Sequence, residues 1–126
     1  MGRKLISTGS PFETAAGYSR AVVVGRDCHV SGTIGYDYAT MIMPDDVAAQ
    51  TRNALETIRR MLAEAGFEFA DIVRARYVVT DRAHVSAVFD VLGEAFGDIR
   101  PAATMIVAQL IAPEMKVEID VTATKD

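Results

Sequence analysis

Two carboxylates two residues apart, Glu118 and Asp120, are the side chains of this chain with the clearest chemical potential. Lys116, Glu118, Asp120 and Thr122 alternate with Val117, Ile119, Val121 and Ala123. That is the period-two pattern of a strand with one apolar face, so both carboxylates project from the same side. Like charges so close, in partly apolar surroundings, raise the pKa of at least one. A carboxyl tuned in this way can serve as a general acid or base. The plain alternative is a solvated strand face. Arg100, beside the start of the preceding strand, could hold a substrate carboxylate through a bidentate contact, or simply be an exposed turn residue. His29 and His84 lie in separate elements with no second ligand at metal-binding spacing, so no metal is expected. Cys28, within a β-branched run, reads as a core or interface thiol. The chain contains neither a GxGxxG nor a phosphate-binding loop motif.

The elements that must position these residues follow in order. Lys4 to Ser7 reads as a short strand, and Thr8 to Gly17, with Gly9, Ser10, Pro11 and Gly17, as loop. AVVVGRDCHVSGTI reads as a hairpin about a three-residue turn, Gly25-Arg26-Asp27, with Ser31-Gly32 ending or bulging its second strand. After a loop from Gly35 to Pro44, Asp45 or Asp46 can cap a helix. Its apolar face is Val47, Thr51, Ala54, Leu55, Ile58, Met61, Leu62 and Ala65, Glu56 can pair with Arg60, and Gly66 stops it. Ile72 to Thr80 is a strand. Asp81 caps a second helix from about Arg82 to Phe96, with Val85, Val88, Phe89, Leu92 and Phe96 apolar and Gly97 as its stop. Pro101 biases Arg100 toward extended backbone. Thr104 to Leu110 is apolar on both faces, and Lys116 to Ala123 closes the chain.

The order β-β-β-α-β-α-β-β makes residues 1–126 one α+β domain, a two-layer sheet with two helices on one face. The doubly apolar strand near Ile106 implies cover on the second face as well. No element remains to supply it, so another copy of the chain is the economical candidate.

With 126 residues the chain has length for one domain. No apolar run approaches the roughly 20 residues of a membrane span, and the N-terminus shows no secretory h-region. A single cysteine excludes an intrachain disulfide and suits a reducing cytoplasm. The net charge is −4, and the nearest thing to a basic cluster is Arg59-Arg60 on a helix that also bears Glu56 and Glu64. Both facts argue against nucleic acid as a partner.

Three segments carry a resemblance. AGYSRAVVVGRDCHVSGTI, DDVAAQTRNALETIRRMLAEAGFEFADIVRARYVVTD and RPAATMIVAQLIAPEMKVEIDVTA together resemble the Rid (YjgF, or L-PSP) family. The resemblance implies a chorismate-mutase-like fold and a homotrimer. Sheets of three subunits would form a central barrel, with a small-molecule site in each cleft between neighbours. The better-known members are deaminases that hydrolyse enamine and imine products of PLP enzymes, such as 2-aminoacrylate, to 2-ketoacids and ammonia without a metal or organic cofactor. Carried onto this chain, Tyr18 matches a cleft tyrosine. Ser31 and Gly32 match a pair whose backbone approaches the ligand. Glu118 matches the carboxylate that positions or activates the attacking water. Ala103 stands where the deaminases have the arginine that binds the substrate carboxylate. Met105 stands where cysteine is common, and Phe89 where asparagine is often seen.

An alanine supplies neither a cation nor a donor fork. A 2-imino acid thus loses its usual partner, and the cleft is expected to take a neutral or more apolar ligand. Arg100 would compensate only if its turn folded it back into the cleft. The expected function is a cytoplasmic homotrimer acting on or binding a small metabolite, as a diverged imine/enamine deaminase-type hydrolase. The alternatives are a non-catalytic small-molecule-binding or regulatory module and, against the charge balance, an endoribonuclease.

Overall fold

The computed structural model describes residues 2–126. Lys4–Ile6 (β1) leads into a helix, Pro11–Ala16 (α1), where the sequence reads as loop. The loop-like residues are this helix's boundary signals. The Ser10 side chain accepts from Phe12 N–H, Pro11 starts the helix, and Gly17 closes it at φ 73°. Ala21–Val24 (β2) and Asp27–Ile34 (β3) form the expected hairpin. Its turn has two residues rather than three, because Val24 pairs directly with Asp27 and Gly25 takes φ 58°. The bulge expected at Ser31-Gly32 is present as a register shift against the last strand between Val30 and Thr33.

Asp46 caps Val47–Glu64 (α2) through a hydrogen bond from Ala49 N–H. Glu56 pairs with Arg59, at 3.9 Å on the exposed surface, and not with Arg60. Ile72–Val79 (β4) is followed by Val85–Phe96 (α3), and Arg82–His84 forms a 3-10 turn ahead of that helix. Gly97 keeps right-handed helical backbone. The left-handed stop falls on Arg100, at φ 55°, so the extended conformation expected before Pro101 is not adopted. Ala102–Val107 (β5) and Val117–Thr124 (β6) complete a six-stranded sheet of order β1-β2-β3-β6-β4-β5. All its pairings are antiparallel except β4 with β5.

The larger core lies between α2, α3 and one sheet face. Ala54, Leu55, Ile58 and Leu62 meet Val88, Val91, Leu92 and Phe96 over Ala75, Tyr77, Val79, Ile119 and Val121. Each fully buried Ile or Leu there contributes about 1.5–3 kcal/mol. Phe89 does not join this core; it is 57% exposed, and Val91 takes the buried place. A smaller cluster, Ile34, Tyr38 and Met115 with Phe12 and Tyr36, underpins the loop before α2. The buried Gln50 ties that loop to β6, donating to the Pro44 and Glu114 carbonyls and accepting from Lys116 N–H. β5 is an edge strand, with Ile106 44% and Val107 48% exposed. The sheet face away from α2 and α3 is largely polar, with Arg74, Arg76, Glu118, Asp120 and Thr122 registered side by side. Among the described residues, no helix is long and apolar enough to cross a membrane.

Candidate functional site

β6 alternates as its sequence requires. Val117, Ile119 and Val121 enter the core, while Glu118 and Asp120 face the polar side. The bulge of β3 then brings Gly32 against Glu118. A Cβ on Gly32 would lie 2.7 Å from Glu118 Cδ and 2.8 Å from its Oε1. The carboxylate therefore rests on backbone that only glycine leaves open. Burial lifts the Glu118 carboxyl above its ordinary pKa, and Asp120 adds to the rise; Arg20 and Arg76 oppose it. Asp120 is itself held by Arg76, Nε to Oδ2 at 3.1 Å.

Behind this surface lies a residue that sequence reading passes over. Arg20 is 1% exposed. Its Nη1 donates to Gly32 O at 2.6 Å and to Thr33 Oγ1 at 3.3 Å, and its Nη2 donates to the Tyr18 hydroxyl at 3.2 Å. Its Nε meets Glu13 Oε2 at 3.4 Å. The guanidinium also lies over the Tyr38 ring, 4.8 Å from its centroid. Glu13, 4% exposed, takes further hydrogen bonds from Ser7, Thr8 N–H and the Thr8 hydroxyl. Burial pushes its carboxyl upward, but the Thr8 and Ser7 hydroxyls and Arg20 outweigh that and hold the pKa below the ordinary value. A buried ion pair thus fixes Tyr18 and the Gly32 carbonyl together. Nothing in periodicity marks a lone arginine ahead of AVVV as buried, or links it to a glutamate seven residues earlier. Ser31 contributes backbone rather than a free hydroxyl, because its Oγ donates to Ser19 O at 2.6 Å.

The remaining expected residues gather elsewhere. A groove of about 450 Å³ between α3 and β5 is lined by Phe89, Arg100, Ala103 and Tyr77, among others. Burial raises the Tyr77 phenol to about 12, so it remains a neutral donor across the physiological range. Met105, paired with Tyr77, packs partly into the core instead of joining that lining. Tyr77 faces the core and is registered with both Ile119 and Met105, whereas Glu118 is registered with Val78. Ala103, two residues before Met105, shares the helix-covered side. Glu118 and Ala103 therefore occupy opposite faces of one sheet, and a single chain does not bring them together. Arg100 is turned back beside Ala103 by its left-handed backbone, a conformation costing a non-glycine residue about 1–2 kcal/mol. Among the described residues, no group of three or more His, Cys, Asp or Glu is placed to hold a metal ion.

Comparison with known proteins places this geometry in context. A family model described as Endoribonuclease L-PSP matches residues 8–125. A 2-iminobutanoate/2-iminopropanoate deaminase from Bos taurus is 32% identical over 124 residues, covering 98% of this chain and 90% of its own length. Protein DfrA from Myxococcus xanthus is 34% identical, over 98% of this chain and 96% of its own length. A crystal structure of a YjgF/YER057c/UK114 family member from Mycobacterium tuberculosis superposes with a TM-score of 0.89 at 46% identity, covering 98% of this chain and all of that one. The YjgF gene product of E. coli superposes with a TM-score of 0.85 at 27% identity, covering 98% of each chain.

Proposed function

Because the chain belongs to the L-PSP family, also known by the names YjgF and Rid, we propose that it is a small-metabolite hydrolase of the imine/enamine deaminase type, working at clefts between copies of itself. The observation that carries this reading is Glu118. Its half-buried carboxyl, raised in pKa, rests on Gly32 with Arg20 holding that backbone from behind. As a base it removes a proton from water while the water oxygen bonds to the imine carbon. The protonated carboxyl gives that proton to nitrogen, forming a carbinolamine. The carboxylate then takes the carbinolamine hydroxyl proton and delivers it to nitrogen as the C–N bond breaks, so a carbonyl product and ammonia leave. A carboxyl pKa raised by burial favours the proton-returning half of that cycle. The reading uses no cofactor or metal.

The cleft requires two chains. Glu118 and the Ala103 groove lie on opposite faces, and the exposed apolar edge at Ile106 and Val107 supports contact with a neighbour. A homotrimer with three such clefts fits both observations. The lone buried Cys28 suits a reducing cytoplasm. Ala103 removes the usual anchor for a 2-imino acid, so turnover of the smallest such substrates should be poor. A non-catalytic metabolite-binding module is the second reading, favoured by the apolar residues at Ala103, Met105 and Phe89. Endoribonuclease activity is disfavoured by the net charge of −4 and by Arg74 and Arg76, which are engaged by Thr104 and Asp120. The test is ammonia release from imines generated in situ by an amino-acid oxidase. Turnover that vanishes in Glu118→Gln supports hydrolysis; turnover that survives removes Glu118 from the mechanism. Ligand-induced thermal stabilisation without turnover supports the binding module.

A further inference from the structure

We infer that Arg100 is the specificity-determining cation of this chain's cleft, and that the groove beside it selects carboxylate ligands with a bulky apolar body. The inference rests on the cleft reading above and names the ligand class for that cleft. The groove has room for such a body, at about 450 Å³, within the range of small-molecule sites. Its walls are Phe89, Leu92, Phe96, Pro101 and Ala103, with the Tyr77 phenol as the one neutral polar group. Among the described residues, Arg100 is the only charged one in its lining. A two- or three-carbon acid would leave most of this volume to water. A branched or aromatic body displaces that water and gains apolar contact.

Arg100 is exposed and forms no ion pair among the described residues. Among the described residues its one side-chain hydrogen bond is long, Nη1 to Gly97 O at 3.4 Å, which leaves most of the guanidinium fork for a ligand. Its backbone is held at φ 55° ahead of a proline, and this bend places the arginine in the groove. Gly93, which also lines the groove, adds no side chain to it, and a Cβ there would meet nothing within 4 Å. The small, apolar residues that remove the usual anchor at position 103 thus leave space, and the cation stands at the rim of that space. An uncharged ligand would forgo the charge-assisted contact with it.

The probes are 3-phenylpropanoate, its amide and propanoate, with binding to the full chain measured by calorimetry. Wild type should bind 3-phenylpropanoate at least about tenfold more tightly than the amide, as expected for one charge-assisted contact. It should also bind it at least about tenfold more tightly than propanoate, which lacks the apolar body. Arg100→Gln should bring the acid down to the amide's affinity. Arg100→Gly, which relieves the left-handed backbone, should do the same. Ala103→Phe should weaken 3-phenylpropanoate far more than propanoate. Equal binding of acid and amide by wild type, or an acid preference that survives both Arg100 variants, overturns the inference. An intact acid preference in a protein that hydrolyses no imine would sink the catalytic reading and leave this one standing.

Discussion

Removing the Arg20 guanidinium should cost the fold more than any exposed charge does, and part of that cost should disappear when Glu13 is neutralised with it. The pair is buried, 1% and 4% exposed, with Nε to Oε2 at 3.4 Å. Arg20→Met leaves the Glu13 carboxylate without its cation and strips a donor from Gly32 O and from Tyr18. Breaking a buried pair from one side costs about 3–5 kcal/mol, because the surviving charge is uncompensated. Glu13→Gln strands Arg20 in the same way, although the Gly32 and Thr33 contacts soften the loss. The double variant removes both charges, so its destabilisation should fall short of the sum of the singles by about 1–3 kcal/mol. Urea unfolding of the four proteins, at one fixed protein concentration because assembly shifts apparent stability, closes the cycle. Additive losses would refute coupling and leave Arg20 as a packing residue. The sign with pH is also set. The lowered Glu13 pKa stabilises the fold above the ordinary carboxylate range, and that contribution is lost as pH falls through the folded value.

Other substitutions separate site from scaffold. Gly32→Ala should leave stability nearly intact, since the added Cβ meets the flexible end of Glu118; displacement of that carboxylate should lower turnover at least about tenfold. Gly35→Ala places a Cβ 2.6 Å from Gln50 Cα, which cannot step aside, so thermal unfolding should reveal a loss of about 1–3 kcal/mol. Glu118→Gln should stabilise the protein at neutral pH and not near pH 4. A folded pKa raised above the unfolded one destabilises as pH rises through it, and each tenfold in proton affinity is worth about 1.4 kcal/mol. A melting temperature unchanged by that substitution at pH 7 would contradict the desolvation of Glu118.

Regular alternation made β6 legible, and helical spacing with Asp46 and Gly66 at the ends did the same for α2. The pairing of Glu118 with Gly32 is half visible, since a glycine inside a strand run signals a bulge or a close approach. Other features depend on contacts that no local pattern encodes. α1 was hidden because Ser, Pro and Gly mark helix ends as well as loops, and six residues show too little periodicity to decide between them. The Glu13–Arg20 pair joins residues whose burial arises only when α1 packs beside the sheet. The left-handed Arg100 reverses a local rule about residues before proline, and the reversal carries the arginine to the groove that Ala103 lines. Parallel pairing of β4 with β5 then puts Ala103 and Glu118 on opposite faces, which neither strand's sequence reveals alone.

Mixing two inactive variants tests most directly the claim that one cleft draws on two copies. Glu118→Gln disables one half of each cleft, and Ala103→Trp fills the other. Unfolded together and refolded as an equal mixture, they should recover about one quarter of wild-type imine hydrolysis, the product of two independent halves in a cyclic assembly. Recovery near that level is the expected result. No recovery, with each variant folded and assembled, would contradict the shared cleft and confine the chemistry to one chain.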